Sequence, residues 1–169
     1  PSWSPDGTLY FVSDRSDWWN LYGDHDGRVQ QVLAMNAEFG VPQWVFGMTT
    51  YGFQAEGTII ARCTTGGKWN IMRINPQTGR DNRIDDPFTN VSSMHVAGDA
   101  AFVVAGSPQE VESLIRIDLK SSTTEMVRRG SSVKADPAYT SLPEPMEFPT
   151  EEDKTAHAFY YPPTNADFR

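Results

Sequence analysis

The sequence has little of what most active sites are made from. Among 169 residues there is one cysteine and there are three histidines. One cysteine excludes a disulfide framework. Cys63 sits in the apolar run Ile59 to Cys63, where it reads as a small buried hydrophobe; as a lone reduced thiol it suggests a cytoplasmic location. His25, His95 and His157 are far apart. A metal site or a triad base needs convergent partners, and none stands beside them in sequence. No metal ion and no cofactor is therefore expected. Long apolar runs are also missing: nothing approaches the ~20 residues of a membrane helix, and no membrane partner is expected. Basic residues are outnumbered, 14 Lys and Arg against 22 Asp and Glu, for a net charge of −8. That excludes the clustered basic face a phosphate backbone requires, so no nucleic-acid partner is expected. Helical periodicity is poor throughout.

Aromatic residues are plentiful, at 12%, with five tryptophans. The pattern begins at Trp3 to Tyr22, WSPDGTLYFVSDRSDWWNLY. Pro5-Asp6-Gly7 is turn chemistry, because Pro fixes φ, Asp caps the backbone and Gly accepts a positive φ. Leu9 to Val12 is a short apolar run that reads as a strand buried on both faces. Ser13 to Asp17 is a solvated connection, and Trp18 to Tyr22 a second strand. The layout recurs 50 positions on: Gly7-Thr8 as Gly57-Thr58, and Trp19-Asn20 as Trp69-Asn70. A third copy is weaker, with Arg73-Ile74 matched by Arg116-Ile117. Repeats of roughly 40–50 residues carrying several strands each are the signature of β-propeller blades.

The expected fold is therefore all-β, a partial β-propeller of about three four-stranded blades followed by a β-hairpin. The blades fall at about residues 3–33, 42–85 and 89–129, within a propeller part spanning 1–130. In the first, Asp24 to Gly27 is a hairpin turn. Met35 to Val41 reads as a polar connection, and Pro42 to Phe46 as the opening of the second blade. Gly66-Gly67 and Asn75 to Gly79 are turns of that blade. Gln109 to Ile115 fits either a helical turn or a strand. Beyond Gly130, prolines 137, 143, 145 and 149 mark a linker, since proline removes ladder donors. Met146 to Phe148 and Ala156 to Tyr161 then make a hairpin that does not follow the repeat. Residues 131–169 are read as a linker and first strands leading toward a further domain. The start at Pro1, already inside a repeat, reads as a piece of a longer polypeptide.

The blade stretch resembles the propeller of the prolyl oligopeptidase family of serine peptidases, in particular the dipeptidyl aminopeptidase/acylaminoacyl-peptidase type. The tail, Ser141 to Thr150 and then Ala156 to Pro163, resembles the crossover from that propeller to an α/β-hydrolase domain. Asp17 departs from the pattern, which has Gly in the turn before the two tryptophans. The resemblance implies acyl transfer by a Ser-His-Asp triad in the whole protein. This sequence contains no G-x-S-x-G elbow and no HGG-type oxyanion motif, so no catalytic residue is assigned and the chain alone is expected to lack peptidase activity. Its implied role is to cover an active site in the missing hydrolase domain and to gate access to it. Short peptides are then partners only through the full enzyme.

In related peptidases, charged propeller loop residues bind the amino end of the substrate. On that resemblance Asp14, Arg15 and Trp18 are the candidate substrate-binding residues. Without it they read as a solvated loop, with the tryptophans packed between blades. Trp44 and Trp69 read as inter-blade core. Asp24 and Asp26 resemble the start of a calcium loop, but no Glu closes it, and Asp-Gly hairpin chemistry accounts for them. Glu110 to Glu112 and Glu151 to Asp153 are acidic turns. A second reading is a non-enzymatic, self-associating module that binds a ligand or protein, since three blades fall short of the roughly 4–8 of a closed propeller and leave open blade edges.

Overall fold

The structure, a computed structural model, describes residues 1–168. Fourteen strands build three four-stranded antiparallel sheets and one hairpin. The first sheet holds β1 (Ser2–Trp3), β2 (Leu9–Ser13), β3 (Asn20–His25) and β4 (Arg28–Gln31). The second holds β5 (Tyr51–Phe53), β6 (Ile59–Thr65), β7 (Lys68–Ile74) and β8 (Asp81–Ile84). The third holds β9 (Asn90–Ala97), β10 (Ala100–Ser107), β11 (Glu110–Asp118) and β12 (Thr124–Arg128). Each sheet pairs its strands in chain order, the blade meander of an open propeller. Strands β13 (Glu144–Pro149) and β14 (Thr155–Tyr160) form the separate hairpin.

The repeat is kept at the level of single hydrogen bonds. Ser4 N donates to Thr8 O and Gly7 N to Ser4 O; 50 positions on, Gln54 N donates to Thr58 O and Gly57 N to Gln54 O. Leu9 faces Asp24 and Ser13 faces Asn20 across β2 and β3. Ile59 faces Ile74 and Cys63 faces Asn70 across β6 and β7. The tight turns follow their residues. Asp26 and Gly27, at φ 55° and 81°, close the β3–β4 hairpin, and Gly66 and Gly67, at 54° and 74°, close β6–β7. Both pairs have the two positive φ values of the turn whose twist matches antiparallel strands. Asp17 also takes a positive φ, 69°. The glycine-like turn is thus kept with an Asp, which tolerates that region better than most side chains.

Two apolar layers join the sheets. Between the first and second lie Tyr10, Leu21, Ile59, Ala61, Cys63 and Ile74. Between the second and third lie Ile60, Ile71, Val91, Val103, Ile115 and Ile117. Full burial of each such aliphatic side chain stabilises by about 1.5–3 kcal/mol. Burial pushes the Cys63 thiol up to about 11, with Asp81 adding to the effect.

Several local expectations need correction. β2 is not buried on both faces: only Tyr10 is fully buried, and Leu9, Phe11 and Val12 are half-buried. The reason is that β2 packs on the second sheet with one face only. Residues 35–41 are not a polar connection. Ala37 and Phe39 are buried in the first layer, and Glu38 forms a two-way backbone bridge to Thr64. Pro42 to Phe46 form no strand, and the second sheet starts at Tyr51. Trp44 is not core but 85% exposed, with Val45 and Phe46 beside it at 64% and 106%. Trp69 does pack against the second layer. Of the two alternatives left open for residues 109–115, the structure has the strand, β11.

Candidate functional site

In an antiparallel meander, successive connections alternate between the two ends of the sheet. The β2–β3, β6–β7 and β10–β11 connections therefore share one end of the stack with the two sheet-to-sheet connections, 32–50 and 85–89. The β13–β14 hairpin docks at that end too. A Cβ at Gly67, in the β6–β7 turn, would lie 2.3 Å from Phe159 Cζ, so the Phe159 ring covers this glycine. All three candidate residues belong to this loop face, on the β2–β3 connection.

That connection is held at several points. Trp19 N donates to Glu38 Oε2 at 2.8 Å, and Phe39 N to Trp19 O at 2.7 Å. The Trp19 ring lies where a Cβ on Gly40 would stand, 2.0 Å from its Cε3. Asn20 is fully buried and uses its whole amide. Its Nδ2 donates to Met35 O and Ala37 O at 3.0 and 3.2 Å, and its Oδ1 accepts from Met35 N and Gln31 Nε2 at 2.9 and 3.1 Å. Tyr22 Oη donates to Ser16 Oγ at 2.8 Å.

The structure separates the three candidates. Asp14 lines a cleft of about 580 Å³ between the first two sheets, shared with Phe11, Val12, Trp19, Met48 and Tyr51. Arg15 turns away from it. Its guanidinium lies 5.3 Å from the Phe11 ring centre and 4.8 Å from that of Tyr22, and its Nε donates to Ser13 Oγ at 3.1 Å. Such cation–π contacts hold an exposed arginine by about 0.5–1 kcal/mol. Trp18 is 37% exposed at the loop tip and does not line the cleft. The cleft is thus an apolar slot with one carboxylate at its rim, suited to a short chain carrying a positive end. Sequence reasoning missed Glu38 and Asn20 as the anchors of this loop; the repeat of Trp-Asn at 19–20 and 69–70 was the signal that could have pointed to Asn20.

Among the described residues no group of three or more His, Cys, Asp or Glu could hold a metal ion. His25 meets the Tyr10 ring edge-on at 6.3 Å, and His157 Nδ1 lies 3.2 Å from Glu147 Oε1 on the hairpin. No helix among these residues is long and apolar enough to cross a membrane.

No protein-family model matches the sequence, and no curated protein matches it. Solved structures do. A puromycin hydrolase superposes with a TM-score of 0.88 at 29% identity, over 99% of this chain and 26% of that one. A puromycin-hydrolysing peptidase of Mycobacterium tuberculosis gives 0.84 at 25% identity, over 94% and 24%. The chain resembles a propeller segment of the prolyl oligopeptidase family. Dipeptidyl peptidase 4 of Porphyromonas gingivalis, at 15% identity, shares the fold, with a TM-score of 0.71 over 99% of this chain and 24% of that one. The chain spans about a quarter of the length of these prolyl oligopeptidase-like proteins.

Proposed function

We propose that this chain is the non-catalytic propeller part of a serine peptidase that hydrolyses short peptides of the dipeptidyl aminopeptidase/acylaminoacyl-peptidase kind. Its loop face covers the active site of a hydrolase domain and restricts access to it. The observation that carries this reading is the position of the hairpin. It docks on the same end of the stack as Asp14 and the cleft, so the chain leaves the propeller on the side where a following domain would meet that cleft. The likeness to puromycin hydrolase over nearly the whole chain supports it. A cytoplasmic setting belongs to the same reading, with Cys63 a free, buried thiol.

Within this reading Asp14 pairs with the free amino end of a peptide, and the apolar walls of the cleft take its first side chains. Arg15 and Trp18 stand on the same connection without lining the cleft. The test starts from the full reading frame, searched beyond Arg169 for a G-x-S-x-G elbow followed by Asp and His. In the protein so encoded, Asp14→Asn should raise KM for peptides with a free amino terminus by about two- to fivefold, the scale of an exposed ion pair. The kcat, and the KM for N-blocked peptides, should hardly change. A frame without the elbow, or equal effects on free and blocked peptides, overturns the reading.

A further inference from the structure

Arg62 breaks the repeat. It lies on β6, on the face turned to the third sheet, two residues from Ile60. By strand register the matching positions are Val12 in the first sheet and Val104 in the third. A guanidinium therefore stands where the other two blades carry a valine. It is only 3% exposed. A buried charge is costly unless it is paired and hydrogen-bonded. Nη1 donates to Val91 O, and Cζ sits 4.6 Å from the Trp69 ring centre. Nε is buried with no hydrogen-bond partner, and Nη1 is the one side-chain nitrogen with a protein acceptor among the described residues. Among the described residues no carboxylate lies within the 4.0 Å of an ion pair. The Ser92 hydroxyl is already committed, donating to Glu112 Oε2 at 3.2 Å and to Val104 O at 3.3 Å. Burial alone lowers the pKa of Arg62, with no facing charge to offset it.

This lone guanidinium opens onto a pocket of about 250 Å³ on the loop face. Ser92 and Ser93 line one side, Val45, Phe46, Met48 and Thr49 the other. We infer that the Arg62 pocket binds a carboxylate, held by the unused guanidinium donors and the Ser93 hydroxyl, with apolar substituents against Val45, Phe46 and Met48. The planar fork of arginine suits a carboxylate. The carboxylate comes either from a small free acid or from the C-terminus of a short peptide. Arg62 itself faces away from the Asp14 cleft, the two sites meeting only at Met48 and Thr49, and the inference does not depend on the peptidase reading.

The test is direct. In the ¹⁵N-labelled chain, the Arg62 Nε–H resonance is assigned by its loss in Arg62→Lys. Sodium acetate, glycyl-phenylalanine and glycyl-phenylalanine amide are titrated separately, with sodium chloride as the control. The expected result is a saturable shift with acetate and the free dipeptide, none with the amide or chloride, and at least tenfold weaker binding in Arg62→Met, read there from the backbone amides of Ser92 and Ser93. A response to both acids supports the pocket and names a peptide C-terminus as a source. A response to acetate alone supports the pocket for small acids. No saturable shift with either acid in the folded wild type, or an equal response to chloride, overturns the site. The wild-type titrations decide the site even where Arg62→Met does not fold.

Discussion

At the residue scale, the same Asn in two blades does two different things. Asn20 and Asn70 are 50 positions apart and hold equivalent ladder positions. Asn20 is buried and holds the 35–37 segment through three hydrogen bonds and Gln31 through a fourth, whereas Asn70 is half-buried and donates only to Thr65 Oγ1 and Lys68 O. Asn20→Asp replaces two donors with a charge aimed at two carbonyls. It should lower unfolding stability by about 3 kcal/mol or more, and Asn70→Asp by less than about 1 kcal/mol. Urea midpoints compare the two, and similar losses would remove Asn20 as an anchor. Asp86 offers a second check. Its Oδ2 is buried without a partner, while Oδ1 accepts from Phe88 N at 2.9 Å. Burial, helped by Asp85, raises its pKa above the ordinary 3.8. The fold therefore favours the protonated acid. Its contribution is complete below the ordinary value and is lost as pH rises through the raised one. Asp86→Asn keeps the acceptor for Phe88 and cannot ionise. Its stability relative to wild type should improve as pH rises above the ordinary 3.8 and level off above the raised value; a difference independent of pH contradicts the raised pKa.

At the element scale, the turn Gly66-Gly67 couples the blades to the hairpin. Both glycines have positive φ, so alanine at either costs about 1–2 kcal/mol of backbone strain. Only Gly67 lies under Phe159; a Cβ at Gly66 meets nothing within 4 Å. Gly67→Ala should therefore displace the β13–β14 hairpin and expose the 131–143 linker to protease, while Gly66→Ala should leave cleavage as in wild type. Adding Phe159→Ala to Gly67→Ala should remove the clash but not restore docking. Equal protection of the linker in both single variants would mean that the ring contact does not fasten the hairpin. These elements were readable in advance because turn residues and period-2 apolar runs are local signals. The segment 35–41 was not. Ala37 and Phe39 alternate about Glu38 like a strand, but the partners, Trp19 for Phe39 and Thr64 for Glu38, are distant in sequence and only one backbone bridge forms. Trp44 misled for the opposite reason: a large aromatic usually marks core, yet this one stands on an exposed loop.

At the scale of the whole molecule, the repeat made the blade number and order legible, because each blade repeats one hydrogen-bonded layout. The Asp14 loop was legible as a place, through its turn and tryptophans, but not the split that folds Arg15 onto Phe11 and Tyr22. Arg62 was visible only as an exception to the valine at its repeat position. The stack also has two unmatched ends. The outward face of the first sheet carries Trp3, 69% exposed, opposite Leu9, with Phe11 half-buried on the same side. The outward face of the third carries Phe102 and Val104, paired with Arg116 and Leu114. The outermost strands β4 and β12 are exposed along their whole length but include Arg28, Glu125 and Arg128, charges that discourage edge pairing. The end faces, rather than the charged edges, are thus the adhesive surfaces, and the two are different from each other. A first-sheet face meeting a third-sheet face is a head-to-tail contact, which closes as a ring or grows as a polymer. The isolated chain should therefore associate as its concentration rises, with mass by light scattering climbing above 18.9 kDa. Trp3→Glu should hold it at the monomer mass, and Arg128→Glu on the outer edge should not. A wild type that stays monomeric throughout would show that the end faces are too small to pair, and would remove the support for a self-assembling binding module.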